Sequence, residues 1–143
     1  MDKKKSFLLD SLKAEFQKRH YSLFAWVVLD DHYHIEFKAS QAKELPKIIN
    51  LVHGRVAFKI NKMDGTQGRK VFQNYWDHGI RDEADFWKHF NYIHHNPVKH
   101  KYVEYLEDYH FSSYNEWVKK KGKEWIDSCF RFYPIADFTT QDV

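Results

Sequence analysis

The sequence predicts a mixed α/β domain of the α+β kind, an antiparallel sheet with amphipathic helices packed on it. Three observations carry this reading. Residues 21–30 and 32–38 read as strands joined too tightly for a crossover helix, so they must pair as an antiparallel hairpin. Residues 41–60 carry an apolar stripe at helical spacing, formed by Leu45, Ile48, Ile49, Val52, Val56 and Ile60. Residues 83–95 carry a second such stripe, through Phe86, Phe90 and Ile93.

The elements follow in order. Leu8, Leu12 and Phe16 recur every four residues, which predicts a helix over 7–19. Residues 21–30 are apolar on both faces and read as a strand covered on both sides, and Asp30-Asp31 is the turn. Residues 32–38 alternate cleanly. Tyr33, Ile35 and Phe37 point to the core, while His32, His34 and Glu36 share the opposite, solvent-facing side. Ser40 is the better chemical cap for the 41–60 helix, with Gln41 as the alternative, and Pro46 falls early enough to be tolerated. Asp64-Gly65 marks a loop, and residues 69–76 are expected to form a third strand. Asp82 is a good cap for the helix over 83–95, which Pro97 is expected to end. Ser112 or Ser113 starts a short helix that Gly122 stops. Residues 1–120 are read as one domain and residues 121–143 as a C-terminal extension.

Composition narrows the function classes. A chain of 143 residues with 30% charged and 43% hydrophobic residues folds as a globular protein. The single cysteine, Cys129, excludes an internal disulfide framework and a Cys-rich zinc cluster. No apolar run is long enough to span a membrane, and the start of the chain lacks a signal-peptide core, so a cytoplasmic protein is expected. The net charge is only +3, yet residues 43–70 hold seven basic residues against two acidic ones. Lys43, Lys47, Arg55, Lys59, Arg69 and Lys70 are therefore candidates for phosphate-backbone contact, and Tyr75 and Trp76 for stacking on unpaired bases.

Two chemical patterns stand out. His32 and His34 lie two residues apart on a strand, so both rings project from one face as ligands for a divalent ion, with Glu36 beside them. Asp85, His89, Tyr92 and Asn96 follow at steps of four, three and four on one helix face. Tyr92 is a candidate nucleophile toward a phosphodiester, and Asn96, one turn on, a candidate for the same metal.

These residues carry a resemblance. The stretch from Phe24 to Phe37, containing His32-Tyr33-His34, resembles the metal-binding hairpin of the single-tyrosine, IS200-like transposases. Val71 to Ile80, Tyr92-Ile-His-His-Asn-Pro-Val98 and Ser112-Ser-Tyr114 resemble the branch associated with repetitive extragenic palindromes. The resemblance covers about residues 7–120. It implies a ferredoxin-like fold of the HUH endonuclease type. In that fold His32, His34 and Asn96 bind magnesium or manganese, and Tyr92 is the nucleophile. It implies nicking and rejoining of single-stranded DNA beside a hairpin, through a 5′-phosphotyrosine intermediate.

Family members begin with a strand, whereas this chain begins at the helix, so a sheet lacking that first strand is expected. The exposed edge predicts a homodimer. An association with the nucleoid follows when DNA is bound. Two other functions fit the same residues. One is a relative that binds hairpin DNA without cutting it. The other is a metal-dependent phosphoesterase that uses His32, His34 and Glu36 without Tyr92.

Overall fold

The computed structural model describes residues 2–134, so the last nine residues of the expected 121–143 extension lie outside the described residues. Helix α1 spans Asp2–Lys18, strand β1 Ser22–Val28 and strand β2 Tyr33–Lys38. Helix α2 spans Leu45–Asp64, α3 Glu83–Lys99, α4 Tyr114–Lys121 and α5 Lys123–Phe132. Strands β1 and β2 form the predicted antiparallel hairpin, so the α+β class holds. The chain divides into two compact units, Met1–Leu23 with Phe37–Tyr75, and Phe24–Glu36 with Trp76–Val143.

In the first unit α1 packs on α2. Leu8, Leu12 and Phe16 are buried on α1, and the whole stripe read from Leu45 to Ile60 is buried on α2. Phe16, Tyr21 and Phe37 form an aromatic cluster, with Phe16 5.1 Å from Phe37 and Tyr21 stacked on Phe37 at 5.8 Å. Helix α1 begins five residues earlier than the apolar period predicts. The extra turn is polar, carries Asp2 at its positive end and is tied down by Lys4, which pairs with Asp64 at 2.8 Å.

Helix α2 starts later than expected and without a side-chain cap. A single 3-10 turn over Ala42–Glu44 leads into it, and Glu44 takes the cap position. The Ser40 hydroxyl is used elsewhere, donating to the Arg19 carbonyl at 2.7 Å. Gly65 ends α2 in the left-handed region at φ 65°, where its missing Cβ removes the steric cost.

The strand expected over 69–76 does not form. Its residues are exposed or half-exposed throughout, so no apolar face drives pairing. Side chains hold its start instead. Asn61 donates to the Arg69 carbonyl at 2.7 Å and accepts from Arg69 Nε at 3.0 Å, and Phe72 stacks on His53 at 4.0 Å.

The second unit is built around Ala25, Val27, Leu29, Phe90, Ile93, Tyr109, Tyr114 and Ile126, all buried. The outer edge of β1 is partly covered by chain rather than by a strand. Val28 N–H donates to the Phe111 carbonyl at 2.8 Å, and Ser113 N–H donates to the Trp26 carbonyl at 3.0 Å. Asp82 caps α3 as predicted, accepting from Asp85 N–H at 2.8 Å. The helix does not stop at Pro97 but runs through it to Lys99. Pro97 forfeits the bond its N–H would make to the Ile93 carbonyl, and the helix closes two residues later.

Helix α4 ends at Gly122 as expected. Ser113 stands at its cap position without a capping bond; its hydroxyl accepts from Trp26 N–H at 2.9 Å and bonds His94 Nε2 at 2.6 Å. Helix α5 has no counterpart in the sequence reading. Its Ile126 enters the core, and buried Asn91 on α3 donates to the carbonyls of Cys129 and Tyr133 at 2.9 and 2.7 Å.

Candidate active site

The site lies wholly in the second unit, between the tip of the hairpin and one face of α3. The period-2 pleat puts His32, His34 and Glu36 on one side of the β2 segment, and the helical period puts Asp85, His89, Tyr92, Asn96 and His100 along one side of α3. The two faces meet. The His34 ring lies 5.8 Å from the Tyr92 ring, edge to face, and 5.1 Å from the His32 ring. His32 in turn lies 5.3 Å from His100. Tyr92 and His100 therefore bracket Asn96, one turn to either side, and both touch the histidine pair.

The expected solvent-facing side of β2 is thus largely covered. His34 is half-buried and Glu36 is only 4% exposed. The apolar residues Tyr33, Ile35 and Phe37 on the other face are half-exposed rather than core. The reason is α3, whose polar face packs on this side of the strand.

Each polar group is held differently. Asp31 bonds His32 Nδ1 at 2.7 Å, which fixes the ring and leaves Nε2 for another partner. His34 is pushed down to about 4, first by burial and then by His32, His100 and Lys99, so it is neutral at pH 7 with a lone pair to offer. Asn96 is fully buried. Its Nδ2 donates to the Tyr92 carbonyl at 3.0 Å, and its Oδ1 has no hydrogen-bond partner. Two imidazoles and an amide oxygen without a hydrogen-bond partner are a donor set that fits manganese or magnesium.

Tyr92 is 5% exposed, and Lys99 Nζ donates to its hydroxyl at 3.2 Å. Lys99 and His100 were not singled out in the sequence. Their spacing of seven and eight from Tyr92 is the signal that places them on the same helix face.

The same face of α3 carries a second polar cluster nearer its start. Glu36 is pushed up to about 9 by burial and by the nearby Asp85 carboxylate. Asp85 accepts from Arg81 N–H at 2.9 Å, and His89 Nδ1 lies 2.8 Å from the Asp85 carbonyl. Burial raises the Asp85 pKa, but the Arg81 hydrogen bonds and the charges of His89 and Arg81 leave it below the usual carboxylate value. His78, Asp85 and His89 offer ligand atoms within 4.8 Å of one another, a grouping able to hold a metal ion. His78 carries no periodic signal, because it lies in a stretch without regular structure.

The basic candidates lie in the first unit. Lys43, Lys47, Arg55, Lys59, Arg69 and Lys70 are all exposed, as are Tyr75 there and Trp76 in the second unit. Three have internal partners. Arg55 reaches Glu15 at 3.4 Å, Lys59 sits 4.3 Å over the Phe7 ring, and Arg69 pairs with Asp64 at 2.8 Å. Among the described residues no helix is long and apolar enough to cross a membrane.

No family model matches the chain. It is 34% identical over 93 residues to a REP-associated tyrosine transposase of Haemophilus influenzae, a match that takes in 63% of this chain and 49% of that protein. It is 28% identical over 111 residues to the REP-associated tyrosine transposase of Escherichia coli K12, covering 71% of this chain and 59% of that one. The chain thus spans about half the length of the curated relatives it matches. Among solved structures it resembles a REP-associated tyrosine transposase bound to a REP hairpin. That match has a TM-score of 0.69 and 23% identity, and it covers 93% of this chain and 74% of that one. In sequence and in fold, this chain resembles the REP-associated tyrosine transposases.

Proposed function

We propose that the protein nicks and rejoins single-stranded DNA beside a hairpin, through a 5′-phosphotyrosine on Tyr92, in a reaction that depends on a divalent metal ion. The observation that carries this is the meeting of the His32–His34 pair with Tyr92, at 5.8 Å between the rings of His34 and Tyr92. The Tyr92 oxygen attacks phosphorus, and the bond from phosphorus to the 3′ oxygen breaks. The phenolic proton leaves Tyr92, and the 3′ oxygen gains a proton to become a free hydroxyl. Rejoining is the reverse, with another 3′ hydroxyl as the nucleophile.

His32, His34 and Asn96 would hold the ion. A manganese or magnesium ion there supplies positive charge to the scissile phosphate and the leaving oxygen. Imidazole and carboxamide donors favour manganese over magnesium. Lys99 adds positive potential where a phosphate must enter. Lys43, Lys47, Arg55, Lys59, Arg69 and Lys70 contact the DNA backbone, and exposed Tyr75 and Trp76 stack on unpaired bases. The active protein is a homodimer and works in the cytoplasm, on nucleoid DNA.

A second reading is hairpin binding without cleavage, favoured by the 5% exposure of Tyr92. One experiment separates the two. Labelled single-stranded DNA carrying a hairpin from the flanks of the gene is incubated with the protein and manganese, then run on a denaturing gel. A covalent adduct that is lost in Tyr92→Phe supports cleavage. Retention of DNA in a native gel with no adduct supports binding alone.

A further inference from the structure

The polar cluster at the start of α3, away from Tyr92, has the makings of its own metal site. Asp85 and His89 sit one turn apart on α3, and both are buried, so the fold has already removed their side chains from water. His89 Nδ1 lies 2.8 Å from the Asp85 carbonyl and 3.2 Å from Asp85 Oδ1, both acceptors, so Nδ1 is engaged by its own helix and Nε2 is the nitrogen suited to a metal. An imidazole fixed by a main-chain acceptor in this way is the usual arrangement of a metal-bound histidine. His78 reaches the same spot from outside the helix, its ring 4.7 Å from the His89 ring, and it is exposed, which gives an ion a way in.

Glu36 is the independent observation. It is 4% exposed, it lies near enough to Asp85 to feel its charge, and neither of its carboxyl oxygens has a hydrogen-bond partner. A buried carboxyl group with both oxygens unpartnered is a polar group whose burial is uncompensated in the fold as it stands, and a bound ion would compensate it. The Arg81 side chain, 82% exposed, meets the Asp85 carboxylate at 3.5 Å. That contact is loose enough for an ion to displace, and the 2.9 Å bond from Arg81 N–H remains.

We propose that His78, Asp85 and His89 bind a divalent transition-metal ion, with Glu36 as the adjoining carboxylate, at a site two helical turns upstream of Tyr92. Two imidazoles with one or two carboxylates suit zinc, cobalt or manganese. The ion clips the irregular stretch around His78 to the start of α3. The site is separate from His32, His34 and Asn96, and it stands whether or not Tyr92 cuts DNA.

The test uses the full chain and zinc alone. His32→Ala/His34→Ala removes the other histidine pair, and equilibrium dialysis with elemental analysis counts the ions left. One zinc ion per chain is expected to remain. Adding His78→Ala, an exposed position whose loss leaves the core intact, should weaken that binding about tenfold or more. Cobalt in the same two proteins should give a visible absorption that the His78→Ala protein lacks. Absence of zinc from His32→Ala/His34→Ala, with its circular dichroism unchanged, overturns the proposal. So does zinc binding that His78→Ala leaves unaltered. Failure of the DNA-cleavage reading would appear only in the adduct experiment.

Discussion

Lys99 and Tyr92 are joined twice. The ammonium donates to the phenol oxygen at 3.2 Å and sits 4.8 Å from the centre of the same ring. The two residues are seven apart, two helical turns, so the contact follows from the helix itself. Lys99 thereby fixes where the Tyr92 hydroxyl points. Lys99→Met should slow adduct formation about tenfold at saturating manganese, the scale of a lost positioning contact. Manganese affinity, measured by calorimetry, should stay at the parent value.

Tyr92→Phe removes one oxygen and leaves the ring beside His34. It should abolish the adduct and keep hairpin binding near normal. His32→Ala and His34→Ala should also abolish it, but through loss of the ion, so manganese titration separates the two failures. An adduct formed by Tyr92→Phe would move the nucleophile elsewhere.

DNA affinity should fall steeply with salt. Each phosphate contact on a single strand contributes about 0.7 to the slope of log affinity against log salt. Lys43→Ala, Lys47→Ala and Lys70→Ala should each lower that slope by about this amount, read from fluorescence anisotropy. Arg55→Ala and Arg69→Ala should do less to the slope and more to stability. Glu15 and Asp64 already engage these two side chains.

Ser113 joins β1 to α3 within the second unit. Its hydroxyl accepts from Trp26 N–H and bonds His94 Nε2, both buried. Ser113→Ala leaves a buried main-chain donor with a poorer partner and should cost about 1–3 kcal/mol in urea unfolding.

Acid should destabilise the fold above the carboxylate range. Burial holds His94 down at about 3, against 6.5 when the chain is unfolded. Below pH 6.5 the unfolded chain takes up a proton that the folded chain refuses. This part of the stability is therefore whole above pH 6.5 and is lost as pH falls toward 3, about tenfold in the folding constant per pH unit. Urea unfolding between pH 7 and 5 checks the slope, and His94→Gln should flatten it.

The parts of the fold that were legible are those with a clean period. The Leu45–Ile60 stripe describes a helix held by burial, and burial leaves a period in the sequence; the His32–Lys38 alternation gave the strand and which side chains share a face, but the polar face is the one α3 covers. The strand over 69–76 had no clean alternation, and it does not exist; the contacts of Arg69 and Phe72 with Asn61 and His53 are side-chain bonds that leave no period. The end of α3 lies beyond the expected stop because Pro97 costs one main-chain bond and the helix continues two residues past it. Helix α5 has a signal in the sequence that the reading did not use: Trp125, Ile126, Cys129 and Phe130, at helical spacing, face the core. For the candidate site, both residue sets were legible and so was which side chains share a face, whereas the expected exposure of His34 and Glu36 was not met. That the faces pack together, burying Glu36 and leaving Asn96 Oδ1 unpartnered, depends on tertiary contact.

The uninterrupted run of α3 from Glu83 past Pro97 has one more consequence. Every chemical group on that helix is indexed by a rigid screw, so distance and bearing are set by residue count alone. Inserting a single residue between His89 and Tyr92 would turn everything downstream by about 100° and carry it about 1.5 Å along the axis. Tyr92, Asn96 and His100 would swing away from the histidine pair together, while Asp85 and His89 stayed where they are. This length of chain can therefore vary by substitution but not by insertion or deletion.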